Sequence, residues 1–251
     1  MTRMRLLSIA AASAIAANVV IAAEDMEPFT ATYGVEWRGM GAGTSTLELV
    51  PLEGDRWSYR SRNTARGVFR LAFPNAITQT SIFRIDDDKV VPLVYRAEDG
   101  SKSTGRDVSL DFDWPGRRVT GTAEDEAVSL ELQPGIQDSL SVQIALMREL
   151  AAGRAPERFL LIDKDAVKDY RYTLEGDERV RTALGEFDTK VYRSQREGSN
   201  RVTRLWLAPD LGWVPVRAQQ TRGDRVEFSM VLRKLEKNGG RPTVDGRKLE
   251  R

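Results

Sequence analysis

From Phe29 to Trp37, apolar and polar residues take turns one by one. Phe29, Ala31, Tyr33, Val35 and Trp37 interleave with Thr30, Thr32, Gly34 and Glu36. Successive side chains of a strand point to opposite faces, so this spacing predicts a strand with one apolar face. The same period of two predicts strands over 44–50, 57–64, 77–85, 90–97, 107–112 and 128–132. It resumes over 159–162, 169–174, 179–182, 187–195, 202–207, 214–221 and 226–235. Turn-forming clusters stand between the runs, among them Glu53-Gly54-Asp55, Asp99-Gly100, Gly176-Asp177 and Gly223-Asp224. Glycine supplies left-handed backbone there, and aspartate bonds its own main chain. Short strands at regular spacing fold as an antiparallel meander that curls into a barrel, half-barrel or sandwich.

One stretch breaks the period. Over 138–152, Leu140, Ile144, Met147 and Ala151 recur at helical spacing, and Val142, Leu146 and Leu150 widen the apolar surface. A helix apolar around most of its circumference is buried. Asp138 is placed to cap its first turn, and Gly153 to stop its last, with Pro156 just beyond. The expected fold is therefore mainly β: a large curved antiparallel sheet, half-barrel or barrel, wrapped around one buried α-helix.

The first residues follow a different rule. Arg3 and Arg5 precede an uncharged stretch over 6–23, rich in Ala, Ile and Val, and Glu24, Asp25 and Glu27 follow at once. That is the charge and hydropathy profile of a cleavable export signal, with cleavage expected after Ala22 or Ala23. No Cys follows to carry a lipid. No later stretch is apolar for about 18 residues, so the mature chain is not expected to cross a membrane by a helix. Residues 1–23 are read as a signal peptide, 24–237 as one β-rich domain and 238–251 as a disordered tail without apolar periodicity. The expected location is the periplasm.

Composition narrows the chemistry. The 251 residues hold no Cys and no His. Disulfides, thiol nucleophiles, thiolate or imidazole metal sites and Ser-His-Asp catalysis are thereby excluded. Lys and Arg number 38 against 37 Asp and Glu, a net charge of +1 that gives no overall pull toward nucleic acid. No cofactor is implied, and the balance leans away from an enzyme.

Carboxylates are the remaining candidates for catalysis. Asp111 and Asp113 share one face of a strand, as an acid and a nucleophile do in glycoside hydrolysis. They could also ligate calcium, as could Asp86-Asp87-Asp88. Both groups sit beside turns, where acidic residues are ordinary, and neither has the spacing of a calcium loop. No catalytic residue and no metal ligand is assigned. Gly39-Met40-Gly41-Ala42-Gly43 lacks the Lys-Ser/Thr ending of a phosphate loop and precedes a strand, so a hairpin turn or bulge is expected.

The apolar loop is more unusual. Gly67 to Pro74 lies between strands yet carries Val68, Phe69, Leu71 and Phe73. Such a loop either plugs a core end or forms a lip over an apolar cavity. Trp206 and Trp213 flank a later turn. The candidate apolar-ligand residues are Phe69, Leu71, Phe73, Trp206, Trp213 and Phe228.

Several elements in order resemble the bacterial exported family named domain of unknown function 3108. They are Ala72-Phe73-Pro74, then Tyr95, Glu98, Arg106 and Phe112-Asp113, then Gln137-Asp138-Ser139-Leu140-Ser141, Leu184-Gly185-Glu186-Phe187 and Trp206-Leu207-Ala208-Pro209-Asp210. The resemblance spans roughly residues 29 to 236. It implies a curved antiparallel sheet around a helix, similar to the half-barrel of periplasmic lipoprotein carriers, and no established activity.

Three functions follow, in order of preference. The first is a non-enzymatic binding or carrier module for an apolar, lipid-like ligand or a lipoprotein. The second is an envelope structural or assembly factor that contacts a protein partner through the apolar loop. The third is a carboxylate-based glycan hydrolase.

Overall fold

The computed structural model describes residues 26–237. The first half runs β1 (Phe29–Trp37), β2 (Met40–Pro51), β3 (Arg56–Ala65), a short helix α1 (Phe69–Ala72), β4 (Ile77–Asp86) and β5 (Lys89–Glu98). It continues with β6 (Val108–Asp113), β7 (Arg118–Ala123) and β8 (Glu126–Glu131). The helix α2 (Ser141–Ala151) follows. Then come β9 (Arg158–Asp163), β10 (Ala166–Thr182), β11 (Gly185–Arg196), β12 (Arg201–Ala208), β13 (Val214–Arg222) and β14 (Arg225–Lys237).

All fourteen strands belong to one sheet, ordered β8-β7-β6-β5-β4-β3-β2-β1-β14-β13-β12-β11-β10-β9. Every pairing is antiparallel. The last strand, β14, lies against the first, β1, so the two ends of the meander meet in mid-sheet. The edges are β8 and β9, and the sheet stays open between them, a half-barrel and not a closed barrel. Gln137 bridges in parallel to Leu161 on the β9 edge and ties the start of α2 to it. The curl also brings β10 close to β13 and β14, strands it does not pair with.

The alternation sorts residues as expected. Phe29, Ala31 and Tyr33 are buried, as are Leu47, Leu49, Tyr59 and Phe83 on the neighbouring strands. Serines 45, 61 and 81 are buried on the same face and leave room beside the larger rings. Val142, Ile144, Leu146, Met147 and Leu150 of α2 are buried among them. The helix packs against β4 and β5. Its end is built as the sequence implies: Gly153 is left-handed at φ +71°, and its N–H donates to Leu150 O.

Two expectations change. Gly176-Asp177 does not end a strand; β10 runs for 17 residues and absorbs a register shift between Leu174 and Gly176. A bulge lets a long strand bend with the barrel without breaking its ladder. The strand β7, Val119 and Ala123 inward, lies where only loop was expected. Its Arg118-Val119-Thr120-Gly121-Thr122 is too polar and glycine-rich to stand out by period two.

The glycine run behaves as a turn and a bulge. Arg38 and Gly39 take positive φ, and Val35 pairs with Gly43 while Glu36 pairs with Gly41. A Cβ on Gly43 would lie 2.0 Å from the carbonyl oxygen of Thr64, a backbone atom that cannot step aside. Gly43→Ala is therefore expected to cost about 2 kcal/mol, the scale of overpacking. A denaturant midpoint equal to the parent's would show that β3 yields at no cost.

Candidate functional site: the open rim of the half-barrel

The helix occupies only part of the concave face. Its N-terminus is fixed at mid-strand, where Ser81 Oγ of β4 donates to Asp138 Oδ2 at 2.6 Å. Asp138 Oδ1 accepts the amides of Leu140 and Ser141 at 2.8 Å, and Ser141 Oγ accepts the Asp138 amide. The C-terminus is fixed at the β4–β5 turn, where Arg148 and Arg154 both bind Asp88. In an antiparallel meander, the β1–β2 turn and the β3–β4 loop lie at the other end. That end is the rim away from the C-terminus of α2.

The apolar loop stands on this rim. Leu71 is 88% exposed and Val68 73%, while Phe69 and Phe73 are half-buried. None of the four packs against the core. Main-chain bonds shape the segment: Phe73 N–H donates to Phe69 O at 3.0 Å, and Arg70 N–H to Gly67 O at 3.2 Å. Arg66 fastens it to the β1–β2 hairpin through its amide to Ala42 O at 2.8 Å and its Nε to Gly41 O at 3.4 Å. That hairpin presents a cross-strand pair, Met40, 56% exposed, and Trp37, 38%. Phe228 of β14 pairs with Trp37, so it joins the same rim, half-buried and packed against the core.

The two other candidates lie elsewhere. Trp213 sits in the β12–β13 turn with φ +65°, half-buried against the core. Trp206 pairs with Arg217 and Val191, on the face of β12 opposite Leu205. Its ring lies 4.4 Å from the Arg217 guanidinium, and its Nε1 donates to Glu178 Oε2 at 2.7 Å. Thus Phe69, Leu71, Phe73 and Phe228 share one end of the fold, and Trp206 and Trp213 do not join them. Trp37 and Met40 were not legible as rim residues. Trp37 read as the last inward position of a strand, and Met40 as filler in a glycine run.

The carboxylate candidates are engaged in local structure. Asp111 accepts from Arg96 Nη2 at 2.8 Å, and Asp113 accepts the Gly116 amide at 3.0 Å. Asp86 pairs with Arg84 at 3.1 Å. Burial pushes the Asp88 carboxyl up, but the hydrogen bonds from Arg154 and Arg148 outweigh it and hold it below its usual range. Among the described residues, no three Asp or Glu gather as a metal site would require. Asp88→Asn is expected to cost about 1 kcal/mol at neutral pH. A carboxyl lowered on folding stabilises above its unfolded value and loses that contribution as pH falls through the lowered one, so the cost should be smaller at acid pH than at neutral pH. An acid-independent cost, read by urea titration at both pH values, would contradict the ion-pair account.

With this geometry in hand, comparison with known proteins places the chain. Residues 29–227 match the family Protein of unknown function (DUF3108), and the chain belongs to it. Among solved structures, it is similar to a beta-barrel-like protein of domain of unknown function DUF1849 from Brucella abortus. The TM-score is 0.55 at 13% identity, over 85% of this chain and 99% of that one. A protein with a YmcC-like fold from Bacteroides fragilis is similar at a TM-score of 0.39 and 11% identity, over 85% and 97% of the two chains. MucB is similar at 0.37 and 13%, over 89% and 57%. The first of these shares the fold. A search of curated proteins finds no match by sequence.

Proposed function

We propose that this chain is an exported, non-enzymatic binding or carrier module, which takes an apolar, lipid-like ligand or the acyl part of a lipoprotein at the open rim of its half-barrel. The observation that carries this reading is the unburied lip. A single exposed leucine is ordinary, but Val68 and Leu71 stand on the β3–β4 loop, and Trp37 and Met40 on the hairpin to which Arg66 ties it. Covering a side chain of that size is worth about 1.5–3 kcal/mol, and this fold leaves it uncovered. Export is supported by the Arg3 and Arg5 pair ahead of the uncharged stretch over 6–23. That segment, like the tail over 238–251, lies outside the described residues.

A fluorescent fatty-acid probe tests the reading. Leu71→Asp should weaken probe binding by at least about tenfold, since each tenfold is about 1.4 kcal/mol. Stability should stay within about 0.5 kcal/mol, because Leu71 touches no core residue. Equal probe affinity in the parent and the variant would remove the lip as the ligand site.

A further inference from the structure

The net charge of +1 conceals an asymmetry. Between Arg56 and Ile85 there are six arginines, at 56, 60, 62, 66, 70 and 84, and no Asp or Glu. This stretch is β3, the lip and β4. On β3, Arg56, Arg60 and Arg62 alternate with the buried Tyr59 and Ser61, so they line the outer face and lead toward the rim. Arg66 and Arg70 then flank the exposed Val68 and Leu71. Among the described residues, only Arg84 of the six has a carboxylate within ion-pair distance, Asp86. Elsewhere the arginines are commonly paired, as Arg96, Arg148, Arg154, Arg179 and Arg204 show.

We propose that the β3–α1–β4 arm docks the protein onto an anionic phospholipid surface, with Val68 and Leu71 entering the acyl boundary and Arg66 and Arg70 meeting lipid phosphates. Charge complementarity selects this occupant. An apolar tip ringed by unpaired cations matches the order of charges at a bilayer interface, where phosphates lie above the hydrocarbon. A lone apolar tip would serve any hydrophobic partner; the arginines behind it, of which among the described residues only Arg84 has a carboxylate within ion-pair distance although Glu48 stands across from Arg60 in register, serve a negative one. Trp37 on the adjoining hairpin, 38% exposed, is of the residue type favoured at that depth. The inference rests on the same lip as the binding-module reading and names the surface from which such a ligand would be taken.

The absence of Cys makes a clean test available. Leu71→Cys in the full chain, labelled with an environment-sensitive fluorophore, is mixed with vesicles of phosphatidylglycerol and phosphatidylethanolamine. A second chain carries the label at Leu184→Cys, an exposed leucine in the β10–β11 turn. The label at 71 should shift to the blue with these vesicles and not with phosphatidylcholine alone. The label at 184 should not shift, which separates docking by the lip from attachment through any other segment. Near a charged bilayer each basic residue strengthens binding by about fivefold, so Arg70→Gln should cost that factor and Arg66→Gln with Arg70→Gln about twenty-five-fold. Raising salt to about 1 M should release the protein as screening shortens to about 3 Å. No shift at 71, equal shifts at both positions, or a shift that appears only when envelope proteins replace the vesicles would each overturn the proposal. Fatty-acid probe binding that survives such a result would leave the binding-module reading standing, so the two failures are distinguishable.

Discussion

Asp138→Ala should lower the unfolding free energy by about 4 kcal/mol, close to the largest effect available to one substitution in this chain. The carboxylate has no solvent contact. It accepts from Ser81 Oγ, Leu140 N and Ser141 N, and alanine leaves all three donors facing a buried void. Each unpaired buried donor costs about 1–3 kcal/mol. The loss is not local, because this one side chain both caps α2 and fastens it to β4. Ser81→Ala removes one of the three bonds and should cost only about 1.5 kcal/mol. Denaturant titration separates the two; an alanine effect below that of Ser81→Ala would mean α2 is held by its apolar face alone.

The same residue sets a pH dependence. Burial raises the Asp138 carboxyl above its ordinary value, and the bonds from Ser81, Ser141 and Leu140 offset part of that rise. A carboxyl raised on folding stabilises the native state in full below its unfolded value, near pH 4, and that contribution is lost as pH rises through the raised value. Asp138→Asn cannot titrate. The stability of the parent relative to Asp138→Asn should therefore fall as pH rises from 4. Parallel curves would show that the donors cancel the effect of burial.

Trp206→Ala should cost about 4 kcal/mol, within the range for removing a large buried ring. The indole is buried, stacks with Arg217 and donates to Glu178, so it joins β12, β13 and the returning β10. For a chain of this size the melting temperature should drop by about 10 °C. Trp206→Phe keeps most of the ring and loses the bond to Glu178, at about 1 kcal/mol. Probe binding per folded molecule should not change in either variant. A Trp206→Ala protein that melts like the parent yet binds no probe would instead put the indole in the ligand site.

These residues show what the sequence can and cannot disclose. Strand positions were legible because a half-buried sheet forces period two, and Phe29 to Trp37 follow it without a break. The helix was legible because 138–152 departs from that period, and Asp138 announced its cap. Pairing order was not legible. Nothing in β14 marks it as the neighbour of β1, because the same apolar face would satisfy any partner strand. β7 was missed because glycine and threonine fill positions where larger apolar residues signal a strand. Trp206 looked like an inward aromatic, yet register turns it toward Arg217, and register depends on bulges that leave little trace in sequence. The lip was legible as an anomaly, since four apolar residues in a turn lack a local reason.

The claim on which the rest depends is that the exposed lip carries an apolar ligand. Native mass spectrometry of the protein, isolated without detergent from cells that make it, reads this directly. The account predicts a population heavier than the polypeptide by the mass of a lipid or acyl chain, depleted in Leu71→Asp. A polypeptide of bare mass in both preparations would contradict it.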